Sequence, residues 1–252
     1  MAIPYTPTKS HVEKRGVSFL LIVVVVIAVI TIAIGAIIVT QEAFRQYAEN
    51  LKIKDIHVVV CDIDGRPALK VYFKTGEYPL TLELYDPDNR LIDCTNVENE
   101  KFIPATLYLG LSGVNVKGGE YKILFRRLSG DIYTYKMEFS GPCLTLEDIS
   151  ITYEILFDTA YIKTVTLKLK NTGDLPAYVY WVELVATEYN SSGIGVIDNY
   201  KEAILPDEIS IKVCYNMLGL SFDASVKSLH LIVKVSDAGG SMEWAFNTTI
   251  RL

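Results

Sequence analysis

"VSFLLIVVVVIAVITIAIGAIIVT", residues 17–40, holds no Asp, Glu, Lys, Arg, His or Pro, and its polar breaks are Ser18, Thr31 and Thr40. At about 1.5 Å per residue a helix of this length reaches roughly 36 Å, enough to cross a ~30 Å hydrocarbon layer. Val and Ile are poor helix formers in water. In lipid the backbone must satisfy its own hydrogen bonds, so a single span is necessarily helical. The run is also longer than the 7–15 apolar residues of an ordinary secretion signal. It reads as a membrane-spanning helix.

Working outward, "QEAFRQYAENLKI" (41–53) continues without Gly or Pro, and Phe44, Tyr47, Ala48 and Leu51 fall on one helical stripe. One helix is therefore expected from about Val17 to Leu51, apolar all round at first and amphipathic afterwards. Lys9, Lys14 and Arg15 precede the apolar run and Arg45, Lys52 and Lys54 follow it. The basic counts nearly tie, so they do not orient the span. The basic pair against its N-terminal end, with exported-looking β modules beyond, favours a cytoplasmic N-terminus.

After residue 53 the texture changes to short alternating runs. "ALKVYF", "LTLELY", "ATLYLGL", "YKILFR" and "IYTYKMEF" lie between the turn sequences "DIDGRP", "DPDNR", "VKGGE" and "LSGD". This predicts a first β-sandwich over residues 53–141. "SGPCL" (140–144) breaks the pattern, and seven strands follow, at 144–155, 161–170, 177–189, 195–204, 208–215, 225–236 and 242–251. Seven is the number an immunoglobulin-like sandwich needs, which predicts a second module over 142–252. The expected fold is an all-β ectodomain, two tandem immunoglobulin-like β-sandwiches, on a long N-terminal hydrophobic helix.

The formal charge is −6. Without residues 1–16 it is −8, from 21 basic and 29 acidic residues. An acidic ectodomain with no basic stripe argues against nucleic acid and against anionic lipid surfaces as partners. Signatures for metalloprotease, serine hydrolase, nucleotide or dinucleotide chemistry are missing from the sequence, so neither an enzyme nor a cofactor is expected. "CDIDG" (61–65) resembles a fragment of a calcium loop but lacks its closing Glu, and a hairpin turn accounts for it. His230 alternates with inward leucines and is expected in solvent.

Cys61, Cys94, Cys143 and Cys214 are widely spaced without a CxxC pair, which disfavours zinc. An even count in an exported chain suggests disulfides. Four cysteines allow three connectivities, the simplest being one bridge per module, Cys61–Cys94 and Cys143–Cys214. Asn190 and Asn247 both begin N-x-[ST] triplets and are candidate glycosylation sites, Asn190 the better placed because it sits in a loop.

Arg15-Gly16-Val17-Ser18, a basic residue and Gly before an uncharged helix, resembles the class III signal of archaeal type IV pilins and archaellins. The resemblance covers about the first 40 residues. Where bacterial members carry a Glu, this chain has Leu21, as archaeal members do. It implies that residues 1–16 are a leader, that a prepilin peptidase cuts after Gly16, and that residues 17–52 form a helix that spans the membrane before assembly and lines a filament core afterwards. The implied partners are copies of the chain and the pilus assembly machinery, and the implied location is the cell surface. Gly35 is the point on the helix where backbones could approach closely. The alternative is a single-pass, non-polymerising surface protein. Protein isolated from its own cells is expected to begin at Val17 by N-terminal peptide mass spectrometry, and Gly16→Val to block maturation; an intact segment 1–16 would refute this.

Overall fold

The computed structural model describes residues 24–27, 29–32, 34–35, 37–45 and 52–252. The first of these belong to helix α1, Val24–Arg45, which is long and apolar enough to cross a membrane. Arg15, Gly16 and Val17 lie outside the described residues, as do Tyr47, Ala48 and Leu51 of the expected stripe. Ile53–Leu252 forms a compact unit of its own, almost entirely β.

Its first half contains β1 (Lys54–Ile63), β2 (Arg66–Lys74), β3 (Leu80–Tyr85), β4 (Leu91–Val97), β5 (Ala105–Tyr108), β6 (Gly119–Arg127) and β7 (Ile132–Phe139). These make two antiparallel sheets, β1-β2-β5 and β4-β3-β6-β7. Alternation sorts the side chains. In β3, Leu80, Leu82 and Leu84 are buried while Thr81, Glu83 and Tyr85 are half-exposed. They share a core with Leu69, Val71 and Phe73 of β2 and with Ile123 and Phe125 of β6, and the Phe73 and Phe125 rings meet edge to face at 5.1 Å. Asp64 (φ 52) and Gly65 (φ 74) form the two-residue turn between β1 and β2, with Ile63 opposite Arg66. Both central residues need positive φ, which Asp-Gly supplies. The calcium-like sequence is therefore a hairpin turn.

The second half contains β8 (Leu144–Leu156), β9 (Thr159–Asn171), β10 (Trp181–Ala186), β11 (Ser191–Ile197), β12 (Ile209–Leu218), β13 (Ser221–Asp223), β14 (Ser228–Ser236) and β15 (Glu243–Arg251). One continuous sheet runs β13-β9-β12-β11-β10-β14-β15, and β8 pairs along the other edge of β9. Val165, Leu167 and Leu169 of β9 pack into a second core with Val182, Leu184, Val233 and Val235.

Two expected strands moved. The one at 177–189 shortens to β10, because Ala177 bridges to Ile204 and Tyr178 is drawn into a polar contact described below. The one at 195–204 begins earlier, at Ser191, because Asn190 turns the chain at φ 45 and sets Ala186 opposite Ser191. The polar run "LIDCTNV" is a strand, β4, that its composition did not announce; Leu91 and Ile92 stay exposed on it.

The halves meet tightly at Gly173. A Cβ there would lie 2.1 Å from the Gly141 carbonyl oxygen and 2.5 Å from the Cys143 nitrogen, and backbone cannot rotate away. Gly173→Ala is expected to destabilise the protein by about 1–3 kcal/mol, lowering Tm by roughly 2–4 °C per kcal/mol. Circular dichroism melting reads this, and an unchanged midpoint would show that the joint is loose.

Candidate functional site

Two features stand out from an ordinary β fold: the apolar helix, and a polar joint between the two cores.

On α1, Val24–Ile27, Val29, Ile30, Ile32, Ile34 and Ile37–Val39 are each about half-exposed or more. Its two hydroxyls are satisfied internally. Thr31 Oγ1 donates to the Ile27 carbonyl at 2.8 Å and Thr40 Oγ1 to the Ile37 carbonyl at 2.9 Å. A polar group left bare in hydrocarbon would cost several kcal/mol, so this back-bonding suits a lipid or helix-packed setting. Gly35 has open space where a Cβ would stand. Phe44 is 74% exposed.

The polar joint is assembled from residues far apart in sequence. Asp237, fully buried, accepts the Asn115 and Ser241 backbone N–H groups, each at 2.7 Å, and the Ser241 hydroxyl. The Asn115 side chain pairs both ways with the Tyr178 backbone, accepting its N–H at 2.7 Å and donating to its carbonyl at 3.0 Å. The Tyr178 hydroxyl then donates to Asp62 at 2.5 Å. Burial, and next the hydrogen bond to Asp62, push the Tyr178 phenol far up, so it stays neutral and keeps donating. Nearby, Asp174 accepts the Ser140 and Gly141 N–H groups at 2.8 and 2.9 Å. Every member has a partner, so the joint is a connected polar clasp.

The expected disulfides do not form. All four cysteines are free thiols. Cys61 lies opposite Ala68 on the outer side of β1, and Cys94 lies opposite Glu83 on the outer side of β4, so the first core stands between them. Cys143 is exposed in the joining segment, whereas Cys214 is buried inside the second core. Burial pushes the Cys61 and Cys214 thiols up, which lowers their reactivity.

Asn190 and Asn247 are both exposed, the first in the β10–β11 connection and the second on β15 opposite Ile232. His230 is exposed between buried Leu229 and Leu231 and contacts Thr249 at 2.7 Å. In "DPDNR", burial raises the Asp86 carboxyl, but hydrogen bonds from the Arg90 backbone and guanidinium outweigh it and hold the group below the usual range. That geometry, with the Asp88 N–H also bound to Asp86, is a closed turn. Among the described residues, no three His, Cys, Asp or Glu side chains are grouped to hold a metal ion.

No family model and no curated protein matches the chain. Among solved structures, an inhibitor-bound exo-β-D-glucosaminidase CsxA aligns at 15% identity and TM-score 0.22, covering 78% of this chain and 26% of that one. The Amycolatopsis orientalis exo-chitosanase CsxA aligns at 14% identity and TM-score 0.23, covering 76% and 26%. The YadV chaperone aligns at 12% identity and TM-score 0.22, covering 79% of this chain and all of that one. The chain thus spans about a quarter of the two glycosidase chains. Overlaps this weak have no bearing on function.

Asp237→Ala leaves the Asn115 and Ser241 N–H groups without their acceptor, at a cost of about 1–3 kcal/mol each if water does not enter. Hydrogen exchange should show faster opening at Asn115, Ala238 and Ser241 with the β3 and β14 cores still protected; unchanged exchange there would mean that the clasp contributes nothing.

Proposed function

We propose that the protein is a structural subunit of an extracellular, type IV pilus-like archaeal filament. In this reading the N-terminal helix spans the membrane first and packs against copies of itself after processing at Gly16, with the β modules outside as a sheath. The observation that carries it is α1: no charged residue lies between Val24 and Thr40, its apolar side chains are exposed, its hydroxyls are already satisfied, and a glycine stands at its middle. Such a surface suits lipid or packing against other helices. The polar clasp between the cores fits a load-bearing part.

The two β halves read as immunoglobulin-like modules. In the second, β8-β9-β12 and β11-β10-β14-β15 would be its two layers, continuous with one another where β12 pairs with β11. The partners in this reading are further copies, a prepilin peptidase and the assembly machinery. Asn190 and Asn247 face solvent and are open to glycosylation.

Gly35→Leu separates a filament from a lone anchor. Lipid tolerates any apolar side chain, whereas a helix bundle loses about 1–3 kcal/mol per subunit to overpacking. Fibres seen by negative-stain microscopy are expected to shorten or vanish while the variant accumulates in the membrane. Wild-type protein that forms no fibres in its native cells would overturn the filament reading in favour of a non-polymerising anchor.

A further inference from the structure

Strand β12 presents the less expected of its two faces to the core. Along Ile209–Leu218, Ile209, Ile211, Val213 and Tyr215 point outward while Lys212 and Cys214 point inward. Lys212 is 1% exposed, its ammonium donating to the Glu202 carbonyl at 2.7 Å, and Ile211 beside it is 65% exposed. A one-residue slip would exchange the two faces. The antiparallel pairing with β9, Ile209 opposite Lys170 through Tyr215 opposite Thr164, holds the register that is seen.

The outward apolar row does not end with β12. Tyr215 lies opposite Val196 of β11, which lies opposite Trp181 of β10, and Leu218 lies opposite Ile194. Ile209, Ile211, Tyr215, Leu218, Ile194 and Trp181 are 47, 65, 51, 69, 49 and 37% exposed on this one face. Charge stays at its borders. Lys168 and Lys170 of β9 flank one side, and Glu183, bonded to Lys234, flanks the other. A large side chain presents roughly 150–250 Å² when bare, so the six expose on the order of 600 Å². That is the top of the ~300–600 Å² range for the largest patch on a monomer.

We propose that this outer β10–β11–β12 face is the contact surface for a second copy of the chain. Two such faces together bury about 1,200 Å², the lower end of what a stable interface needs, before the polar border is added. The apolar centre without a charge matches homo-oligomer interfaces, which are more hydrophobic than transient ones. A strongly charged partner would find no complement in it. A burial pattern that puts a lysine inside and isoleucines outside is balanced once the outer face is covered. The contact goes beyond the filament reading and does not depend on helix bundling, since neighbours in a sheath and a pair of anchored chains could both use it.

The test uses the full chain in detergent micelles with photoreactive benzoylphenylalanine in place of Tyr215. Irradiation is expected to give a covalent dimer whose joined peptides fall within residues 181–218 of the second copy. Joins confined to residues 24–52, joins only to another protein, or no joined product would each overturn the proposal. Ile211→Glu combined with Leu218→Glu should weaken the dimer at least about tenfold, or 1.4 kcal/mol, with the melting midpoint preserved. A dimer unaffected by this pair in a folded protein would also overturn it. Gly35→Leu should leave the Tyr215 cross-link intact, so loss of helix packing and loss of this contact are read separately.

Discussion

The joint between the two cores is where the fold is decided, because backbone groups leave water there and must be paired inside the protein. Asn171, fully buried, does much of this. Its amide donates to the Leu175 and Ile204 carbonyls at 2.7 and 2.9 Å and accepts from Cys143 and Gly173 at 3.2 and 3.0 Å. One side chain thereby ties the start of β8, the end of β9 and the loop before β12. The Asn171 backbone also pairs with Glu208 and Asp207. Those bonds fix where β12 begins, and so its register on β9. The outward isoleucines and the inward Lys212 follow from that starting point.

Lys212 shows how the constraint is met. Burial pulls its ammonium down, while Glu202 and Glu208 push it back toward the charged form. Its bond to the Glu202 carbonyl reaches the same loop that Asn171 holds. A buried lysine is a poor source of stability by itself. Its value here is geometric: it ties the loop to the strand and resists a slip that would satisfy the hydrophobic pattern better. Leu175 adds an apolar counterpart, leaving the second half to pack in the first core.

The two units of the chain are built for different surroundings. Helix α1 holds its hydrogen bonds within its own backbone and presents side chains that water does not favour. The β unit carries its charge outside, in pairs such as Lys74 with Asp55 at 2.9 Å and Lys136 with Glu120 at 3.1 Å, and buries two apolar cores. Such exposed pairs contribute little to stability; solubility is their main effect. The thiols agree with a fold that relies on packing and polar closure, since none of the four is bridged and Cys214 is buried within the second core.

The helix was legible in the sequence because its signal is compositional: length and absence of charge suffice, and no partner is consulted. The strands of the first half were legible because period two is a local property, as Leu80, Leu82 and Leu84 show. The Asp64-Gly65 turn was legible for the same reason, since positive φ at adjacent residues is a local demand. The strand β4 was not, because pairing with β3 and not side-chain hydrophobicity makes it a strand. Cysteine pairing failed because an even count says nothing about which side of a sheet each thiol occupies. The clasp left no local trace: Asn115, Tyr178, Asp237 and Asp62 are 63 to 122 positions apart where they bond. The face of β12 was beyond reach too, since alternation names two faces without saying which is inside. Composition and period are set residue by residue along the chain. Which surfaces meet is set only when the sheets close and every buried polar group must find a partner.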